Sequence, residues 1–385
     1  IVRPDPGPTE FGSIQAAVDA APSGATVLVE DGIYLENLTL GARSVAVVAA
    51  GENSVVRGSV TVDAVSFDDS VLLDGLSVVN APLGVTVRNS VGTVWLEELE
   101  VVIRSVPQSF GQALVIDLCD AVVVTGGLYT GSQSTTGFGV LAASIRDASA
   151  TLYDVRLESV SPSPKLGVQP PPGLDVEGSI VFIGNSTIAG ADATPTLLGP
   201  GNICDLGLAG GAGIQARDGQ FIASDVTILS TDVVPGAEGQ GPDGCPVAVA
   251  GQQAVTSLKS TIDPIPLLLP PRQHEVNSLV DAGEELTLRF EGTPGEVVFT
   301  TLGIVPEPLF EPIVKGTFGA FNTTFITLTG ELDAEGQLLQ TAEIPIPLTL
   351  PAARIFTQGL FFSVEDAFVL TPPRSVTLLA TPDRP

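Results

Sequence analysis

Seven stretches of the chain share one pattern of apolar residues, and this repeat constrains the fold more than any other feature. The residues three positions after and four positions before a common anchor are apolar in all seven stretches. The residue two positions before the anchor is apolar in all but the last stretch. The anchors are spaced 23, 28, 28, 31, 40 and 34 residues apart, at Gly75, Glu98, Gly126, Asp154, Asn185, Asp225 and Lys259.

Apolar and other residues alternate within each stretch, which predicts strands rather than helices. A period of about 23 residues or more suits one coil of three short strands joined by turns, and repeats in this range are typical of solenoids. Stacked coils place like residues in register, so the apolar columns form one continuous core. The sequence therefore predicts an all-β protein whose larger part is a parallel β-helix over residues 11–262.

The N-terminal segment is predicted to close the first coil. Residues 1–10 hold three prolines and a glycine and are extended, either as a loose terminus or as an arm lying on another part of the protein. Residues 11–21 are the best helix candidate, with Ser13 as the N-cap and an apolar face on one side. A short amphipathic helix here suits a cap over the bare strand edges of the first coil.

The segment FGSIQAAVDAAPSGATVLVEDGIYLENLTL resembles the opening of pectin methylesterases and of other proteins of the pectin-lyase-like right-handed β-helix superfamily. This resemblance implies a right-handed parallel β-helix with an N-terminal capping helix. Active enzymes and proteins without catalysis share the opening, so it implies fold rather than activity. The residues that carry the match are Phe11, Ile14, Gln15, Ala17, Val18, Gly32, Tyr34, Glu36 and Asn37.

The pattern changes near residue 263. Residues 263–274 are proline-rich and are predicted to be a linker or a strap across the last coil. Residues 275–385 contain about seven strands bounded by Gly, Pro and Asn, which predicts an antiparallel β-sandwich. Its layout is similar to that of C-terminal domains of many secreted bacterial surface proteins.

The catalytic residue sets of the superfamily are not found in the sequence, and no catalytic residue is assigned. The single histidine, His274, lies between Gln273 and Glu275 and not in a Gly-His-Gly segment. Asp117 and Asp120 could be the two aspartates of a methylesterase-like site, but the later segments that this type of site requires are missing from the sequence. Arg146-Asp147 and Arg156 near Asp154 could imitate a lyase site with calcium-binding carboxylates. Enzymatic activity therefore stays open, and a protein without it is favoured.

Calcium is the one cofactor that the acidic composition leaves open, and the metal site is unknown. Acidic residues fall six to eight positions before four anchors, where a turn between strands is expected. Turn geometry explains them; a calcium ladder is the alternative, although the Gly-Gly-x-Gly-x-Asp repeat is absent. They are Asp120, Asp147, Glu177 and Asp218.

A row of large apolar side chains is predicted on the outside of the β-helix, three positions before the anchors. Leaving such a row in water would forfeit several kcal/mol at about 25 cal/mol per Å². Three covers are open: the C-terminal domain, another copy of the chain, or a polysaccharide stacked on Trp95 and Tyr153. The row consists of Leu72, Trp95, Val123, Thr151, Phe182, Ile222 and Thr256. The predicted interface residues are its large apolar members Leu72, Trp95, Val123, Phe182 and Ile222, together with Tyr153.

The chain has three cysteines. Cys204 and Cys245 follow their anchors by 19 and 20 residues, which predicts a disulfide between neighbouring loops; two independent thiols are the alternative. Cys119, flanked by Leu118 and Asp120, is expected to be a small buried residue.

Charge and composition narrow the functional classes. The net charge is −28, from 16 Lys and Arg against 44 Asp and Glu, so nucleic-acid binding is not expected. The chain begins with Ile-Val and holds no Met, which we interpret as a mature secreted chain without its signal peptide. The sequence favours an extracellular structural or adhesive surface protein that binds copies of itself or other surface proteins and could form a fibre or layer. The alternative is a polysaccharide-binding or polysaccharide-degrading protein.

Overall fold

The computed structural model describes most of the chain in ordered segments. These are residues 1–79, 83–104, 111–132, 139–160, 170–191, 212–218, 220–229, 255–258, 261–265, 272–277, 279–281, 283–303, 309–310, 314–315, 317–318, 325–343, 352–362 and 368–379. Most of the described residues lie in strands, as the sequence predicts.

The first two thirds of the chain form a parallel β-helix. One short helix, α1 (Ile14–Ala20), precedes the strands. The strands are β1 (Ala25–Val29), β2 (Gly32–Tyr34), β3 (Leu38–Gly41), β4 (Val45–Ala49), β5 (Ser54–Arg57), β6 (Val60–Asp63), β7 (Ser70–Asp74), β8 (Ser77–Val79), β9 (Leu83–Glu97), β10 (Glu100–Arg104), β11 (Gly111–Thr125), β12 (Leu128–Ser132), β13 (Val140–Arg146), β14 (Ser149–Tyr153), β15 (Arg156–Glu158), β16 (Leu174–Glu177), β17 (Ile180–Ala189), β18 (Ile214–Arg217), β19 (Gln220–Leu229), β20 (Val255–Leu258) and β21 (Thr261–Ile265).

These strands stack into faces, because each pairs in parallel with a strand one coil later. The first face contains β1, β4, β7, the end of β9, the end of β11, β14, the start of β17, the start of β19 and β21. The second face contains β2, β5, β8, β10, β12, β15 and the ends of β17 and β19. The third face contains β3, β6, the starts of β9 and β11, β13, β16, β18 and β20.

The register confirms the first six repeats and corrects the seventh. Val71 pairs with Val94, Val122 with Ala150 and Val181 with Phe221, as the alignment on the anchors requires. The prediction that Val255 continues this column is wrong. Phe221 pairs with Ile262 on the first face, whereas Val255 pairs with Ile214 on the third. Alternation identifies a strand but not the face on which it lies. The strand predicted for the first face is in fact the strand of the third face that precedes it in the chain.

The first five anchors lie at the corner between the first and second faces. They adopt the left-handed backbone conformation, which Gly, Asn and Asp tolerate better than other residues. The φ angles are 69° at Gly75, 48° at Glu98, 69° at Gly126, 54° at Asp154 and 45° at Asn185. A second left-handed corner joins the third face to the first and includes Asp147 and Asp218, which supports the turn interpretation of these two aspartates.

The residues that carry the superfamily resemblance join α1 to the first coil. Glu36 accepts hydrogen bonds from Ser13 Oγ (2.7 Å) and from the backbone N–H groups of Ile14 and Gln15 (2.8 and 2.9 Å). The Gln15 amide bonds both backbone groups of Thr39. These bonds satisfy the exposed N–H groups of the helix start and fix α1 over the end of the core.

The N-terminal arm lies on the first coil. Val2 is fully buried and forms parallel bridges to Val29 and Phe11. Its backbone N–H donates to Leu28 O, and its carbonyl accepts from Glu30 N and from the Tyr34 hydroxyl. The arm thereby covers the open edge of β1, which would otherwise expose unpaired backbone groups.

The C-terminal part is a β-sandwich with its own core. Its strands are β22 (Gln273–Val276), β23 (Leu279–Asp281), β24 (Glu285–Glu291), β25 (Val297–Gly303), β26 (Leu309–Phe310), β27 (Val314–Lys315), β28 (Thr317–Phe318), β29 (Phe325–Glu331), β30 (Gln337–Glu343), β31 (Ala352–Phe362), β32 (Phe368–Leu370) and β33 (Arg374–Leu379). One sheet has the order β22-β24-β30; the other follows β23-β33-β31-β25-β29, with β32 beside β31. Most pairs are antiparallel as predicted, but β23–β33 and β27–β32 are parallel.

Candidate functional site

The outward apolar row on the first face is covered by the C-terminal domain. Phe356 on β31 packs on Trp95, with ring centroids 4.7 Å apart. Leu72, Trp95 and Val123 are each at most 3% exposed and share one apolar cluster with Phe356. This part of the row is therefore covered within the chain. Of the three alternatives that the sequence allowed, the structure shows the C-terminal domain here.

Phe182 continues the row along the same face, and Tyr153 lies beside it. The rings of Tyr153 and Phe182 contact each other at 5.2 Å, and both side chains are buried. Ile222 pairs in register with Phe182, and its side chain lies outside the described residues. Thr256, by contrast, lies on the third face and does not belong to the row, since its strand partner is Gln215. Binding of a separate partner by these residues stays a prediction.

Charged residues surround the apolar contact. Arg374 at the start of β33 reaches two corner residues of the β-helix, with Nη1 2.6 Å from Glu98 Oε1 and Nη2 3.1 Å from Asp154 Oδ2. Gly126 occupies the coil between these two corners, and a Cβ there would collide with the Glu98 carboxylate. The missing side chain at Gly126 therefore leaves room for the ion pair.

Two carboxylates, Asp74 and Glu97, are buried in the same junction. They are register partners on β7 and β9, and they are 4% and 3% exposed. Both Glu97 oxygens accept from the Ser375 backbone N–H, at 3.2 and 3.0 Å. Burial raises the pKa of Glu97 to about 7, although Arg374 and Ser375 act in the opposite direction. Burial, reinforced by Glu97, raises the pKa of Asp74 well above its usual range.

A cleft of about 780 Å³ opens where these groups meet the solvent. Asp74, Glu97 and Arg374 line it, together with apolar residues such as Val276 and Leu279. Further carboxylates in the lining belong to Glu52, Glu98, Glu100 and Glu275. We call this space the junction cleft. It combines concave shape, apolar walls and shifted carboxyl pKa values, which are features of ligand sites.

Sequence reasoning missed Asp74, Glu97, Arg374 and Ser375. The signal for the first two was present: each is a carboxylate directly before an anchor, at an outward position two residues after a member of the apolar row. The residues of the C-terminal domain could not be found this way, because nothing in their local pattern says which surface the domain covers.

The other residues singled out in the sequence lie apart from this site. His274 is buried in the C-terminal domain, stacked on Phe290 at 4.8 Å, with Nε2 3.3 Å from Thr357 Oγ1. Burial lowers the pKa of His274 to about 3, so the ring is neutral. Arg156 pairs with Glu158, and Arg146 approaches Asp175 rather than a lyase-like cluster with Asp154. 

Of the three cysteines, Cys119 alone lies within the described residues. Cys119 is buried and its thiol is free, as expected, with Sγ donating to Asp117 O. Cys204 and Cys245 lie outside the described residues, so their disulfide stays a prediction.

Two features are absent from the described residues. No group of three or more His, Cys, Asp or Glu side chains within them is arranged to hold a metal ion. None of their helices has the length and apolar character that a membrane crossing requires.

Comparison with known proteins gives distant structural neighbours. No protein-family profile and no curated protein sequence matches the chain. The enzymatically active domain of bacteriophage CBA120 tailspike protein 2 is 9% identical, with a TM-score of 0.29, over 97% of this chain and 75% of that one. The A-module of Azotobacter vinelandii mannuronan C-5 epimerase AlgE6 is 13% identical, with a TM-score of 0.16, over 66% of this chain and 94% of that one. These TM-scores are below 0.5, so the parallel β-helix assignment rests on the strand pairing of this chain.

Proposed function

We propose that the protein is an extracellular structural or adhesive surface protein. In this proposal the β-helix is a rigid shaft and the C-terminal domain is fixed to its first face. The observation that carries the proposal is the covered row: Trp95 and its neighbours lie under Phe356. A polysaccharide cannot stack on side chains that the protein itself has buried, so this stretch of the shaft is used for structure.

The same proposal includes assembly into a fibre or surface layer. The structure limits which surface of the β-helix could take part in this assembly. The part of the row around Trp95 is covered within one chain, so copies would have to meet through other faces. Membership of the pectin-lyase-like superfamily is also proposed. It is supported by the cap, in which Gln15 and Glu36 of the resembling segment make the bonds that hold α1 on the first coil.

Light scattering, negative-stain electron microscopy and co-sedimentation with isolated bacterial cell envelopes test this role on the purified chain. We expect ordered polymers or envelope binding, without release of reducing or unsaturated products from acidic polysaccharides. A monomer that neither polymerises nor binds envelopes contradicts the proposal, as does a monomer that releases such products.

A polysaccharide-degrading enzyme is the second candidate, and one observation favours it. Asp74 and Glu97 form a neighbouring carboxylate pair beside a cleft, and glycosidases use one protonated and one ionised carboxyl group. Against this, both Glu97 oxygens are engaged by Ser375 N–H. Hydrolysis of a panel of neutral and acidic glycans that disappears in Glu97→Gln would establish this candidate in place of the first.

A further inference from the structure

We propose that the junction cleft binds an organic cation with a primary ammonium group, and that the Asp74 carboxylate is its anchor. This site goes beyond the structural role and does not depend on it. Three features of the molecule support the site: the partners of the carboxylates, the charge of the cleft lining and the shape of the cleft.

Asp74 differs from its neighbours in lacking a hydrogen-bond or ion-pair partner, although the guanidinium groups of Arg354 and Arg374 favour its ionised form from beyond contact distance. Glu97 accepts from Ser375 N–H, and Glu98 pairs with Arg374. No described residue donates a hydrogen bond to the Asp74 carboxylate or forms an ion pair with it, although Asp74 is only 4% exposed. A buried carboxylate without a partner costs several kcal/mol, which makes such a group a candidate for binding a ligand. Asp74 lines the cleft, so a ligand can reach it.

The charge of the lining selects a cation. Glu52, Glu98, Glu100 and Glu275 add their carboxylates around the cleft, whereas its guanidinium, Arg374, is already held by Glu98 and Asp154. A cleft lined mainly by one sign of charge with low-dielectric walls concentrates the opposite charge. Anionic sugars and phosphates would be repelled.

An ammonium group fits this lining better than a metal ion does. Ca²⁺ takes six to eight oxygen ligands, and the described residues contain no group arranged to supply even three protein ligands. An ammonium group carries three N–H donors on one atom and needs only a few acceptors. The apolar residues Val276 and Leu279 in the lining suit an attached alkyl chain or sugar ring. The volume of about 780 Å³ lies within the usual range for small-molecule sites.

Binding should release a proton. Burial and Glu97 hold the pKa of Asp74 well above its usual range, so at pH values below that raised pKa the free site carries a proton that an incoming cation displaces. The charged groups that face Asp74 are Glu97 and Glu98 on the β-helix and Arg354 and Arg374 on the C-terminal domain. Affinity for the cation should therefore rise with pH.

Isothermal titration calorimetry on the full chain tests the site with two probes, spermidine as a polyamine and the glucosamine trimer as an amino sugar. The matched probes are N1,N8-diacetylspermidine and the fully N-acetylated trimer, which keep the skeleton and replace every primary ammonium group by a neutral amide. We expect at least one amine to bind at low salt, with proton release in buffers of different ionisation enthalpy. The acetylated forms should bind at least 10-fold more weakly.

Variants link the binding to Asp74. Asp74→Asn should weaken binding at least 10-fold and abolish proton release, whereas Asp120→Asn, the same change at an exposed corner outside the cleft, should leave both unchanged. Trp95, the single tryptophan, provides a second signal because it lies two residues from Glu97 and its fluorescence should respond to the ligand. Selective binding of one probe identifies the polyamine or the amino sugar as the source. Failure of both amines to bind at millimolar concentration, equal binding of acetylated forms, or unchanged binding by Asp74→Asn would overturn the proposal.

Discussion

At the residue scale, the corner between the first and second faces explains why the anchors differ chemically from the strands around them. Gly75, Gly126, Asp154 and Asn185 are residue types that tolerate a positive φ, and each turns the chain without disturbing the stacked columns. Glu98 is the exception, because its type does not favour this conformation. Its side chain instead binds Arg374 of the C-terminal domain, so a strained corner is retained where the two domains meet.

Replacing two of these glycines separates backbone strain from the loss of the ion pair. Gly75→Ala and Gly126→Ala should each lose about 1–2 kcal/mol from the left-handed conformation. Gly126→Ala should lose more, because its Cβ displaces the Glu98 carboxylate from Arg374. Urea denaturation measures both losses. The excess at Gly126 should vanish in a Glu98→Ala background, and an excess that persists there would contradict this explanation.

At the scale of single elements, the sequence predicted strands, cap and columns because these follow from local periodicity and capping. It failed at the seventh unit, because Val255–Leu258 and Thr261–Ile265 both alternate and only their order around the coil distinguishes their faces. The contact between the C-terminal domain and the β-helix was not predicted, for a different reason. Phe356 and Arg374 are distant in sequence from Trp95 and Glu98, and no local pattern encodes that contact.

The cap is the element whose stability depends most clearly on one side chain. Glu36→Ala removes three hydrogen bonds to the start of α1 and leaves two backbone N–H groups without that acceptor. We expect a loss of about 1–3 kcal/mol in the stability of the cap. Native-state hydrogen exchange should accelerate in α1 and at Val2 while amides of β11 and β14 stay protected. Asp120→Ala, at an exposed position, serves as the control; equal acceleration throughout the β-helix would show that the effect is not local.

At the scale of the whole molecule, the described contacts between the C-terminal domain and the β-helix have an apolar centre with polar groups around it. Trp95 and Phe356 form the centre, and Glu97–Ser375 and Arg374 with Glu98 and Asp154 surround it. Such an arrangement, with a desolvated centre and a polar rim, is typical of stable protein interfaces. The shaft and the domain should therefore behave as one unit.

Removing the central contact should uncouple the two domains. Phe356→Ala creates a cavity against Trp95, at an expected cost of about 3–5 kcal/mol. Because Trp95 is the single tryptophan, its emission should shift to longer wavelength as water enters the junction. Phe299→Ala or another change in the sandwich away from Trp95 should leave the emission in place. An unshifted spectrum in Phe356→Ala would contradict the packing described here.

The pH dependence of stability follows from two buried groups with opposite signs. Burial raises the pKa of Glu97 from its usual 4.5 to about 7, so its contribution to stability is fully present below pH 4.5 and is lost as pH rises through 7. Burial lowers the pKa of His274 from its usual 6.5 to about 3, so its contribution is present above pH 6.5 and is lost as pH falls towards 3. Between pH 4.5 and 6.5 the two effects oppose each other.

Variants separate these two contributions. Relative to the parent chain, Glu97→Gln should gain stability as pH rises from 5 to 8, because the variant has no carboxylate to ionise in the junction. His274→Gln should show the reverse, with its relative stability improving as pH falls from 6.5 towards 4. Urea denaturation at several pH values measures both differences, and Trp95 fluorescence reports the junction separately. If the difference in stability between Glu97→Gln and the parent chain does not change between pH 5 and 8, Arg374 and the Ser375 N–H compensate the buried charge fully. Glu97 would then not make the stability of the junction depend on pH.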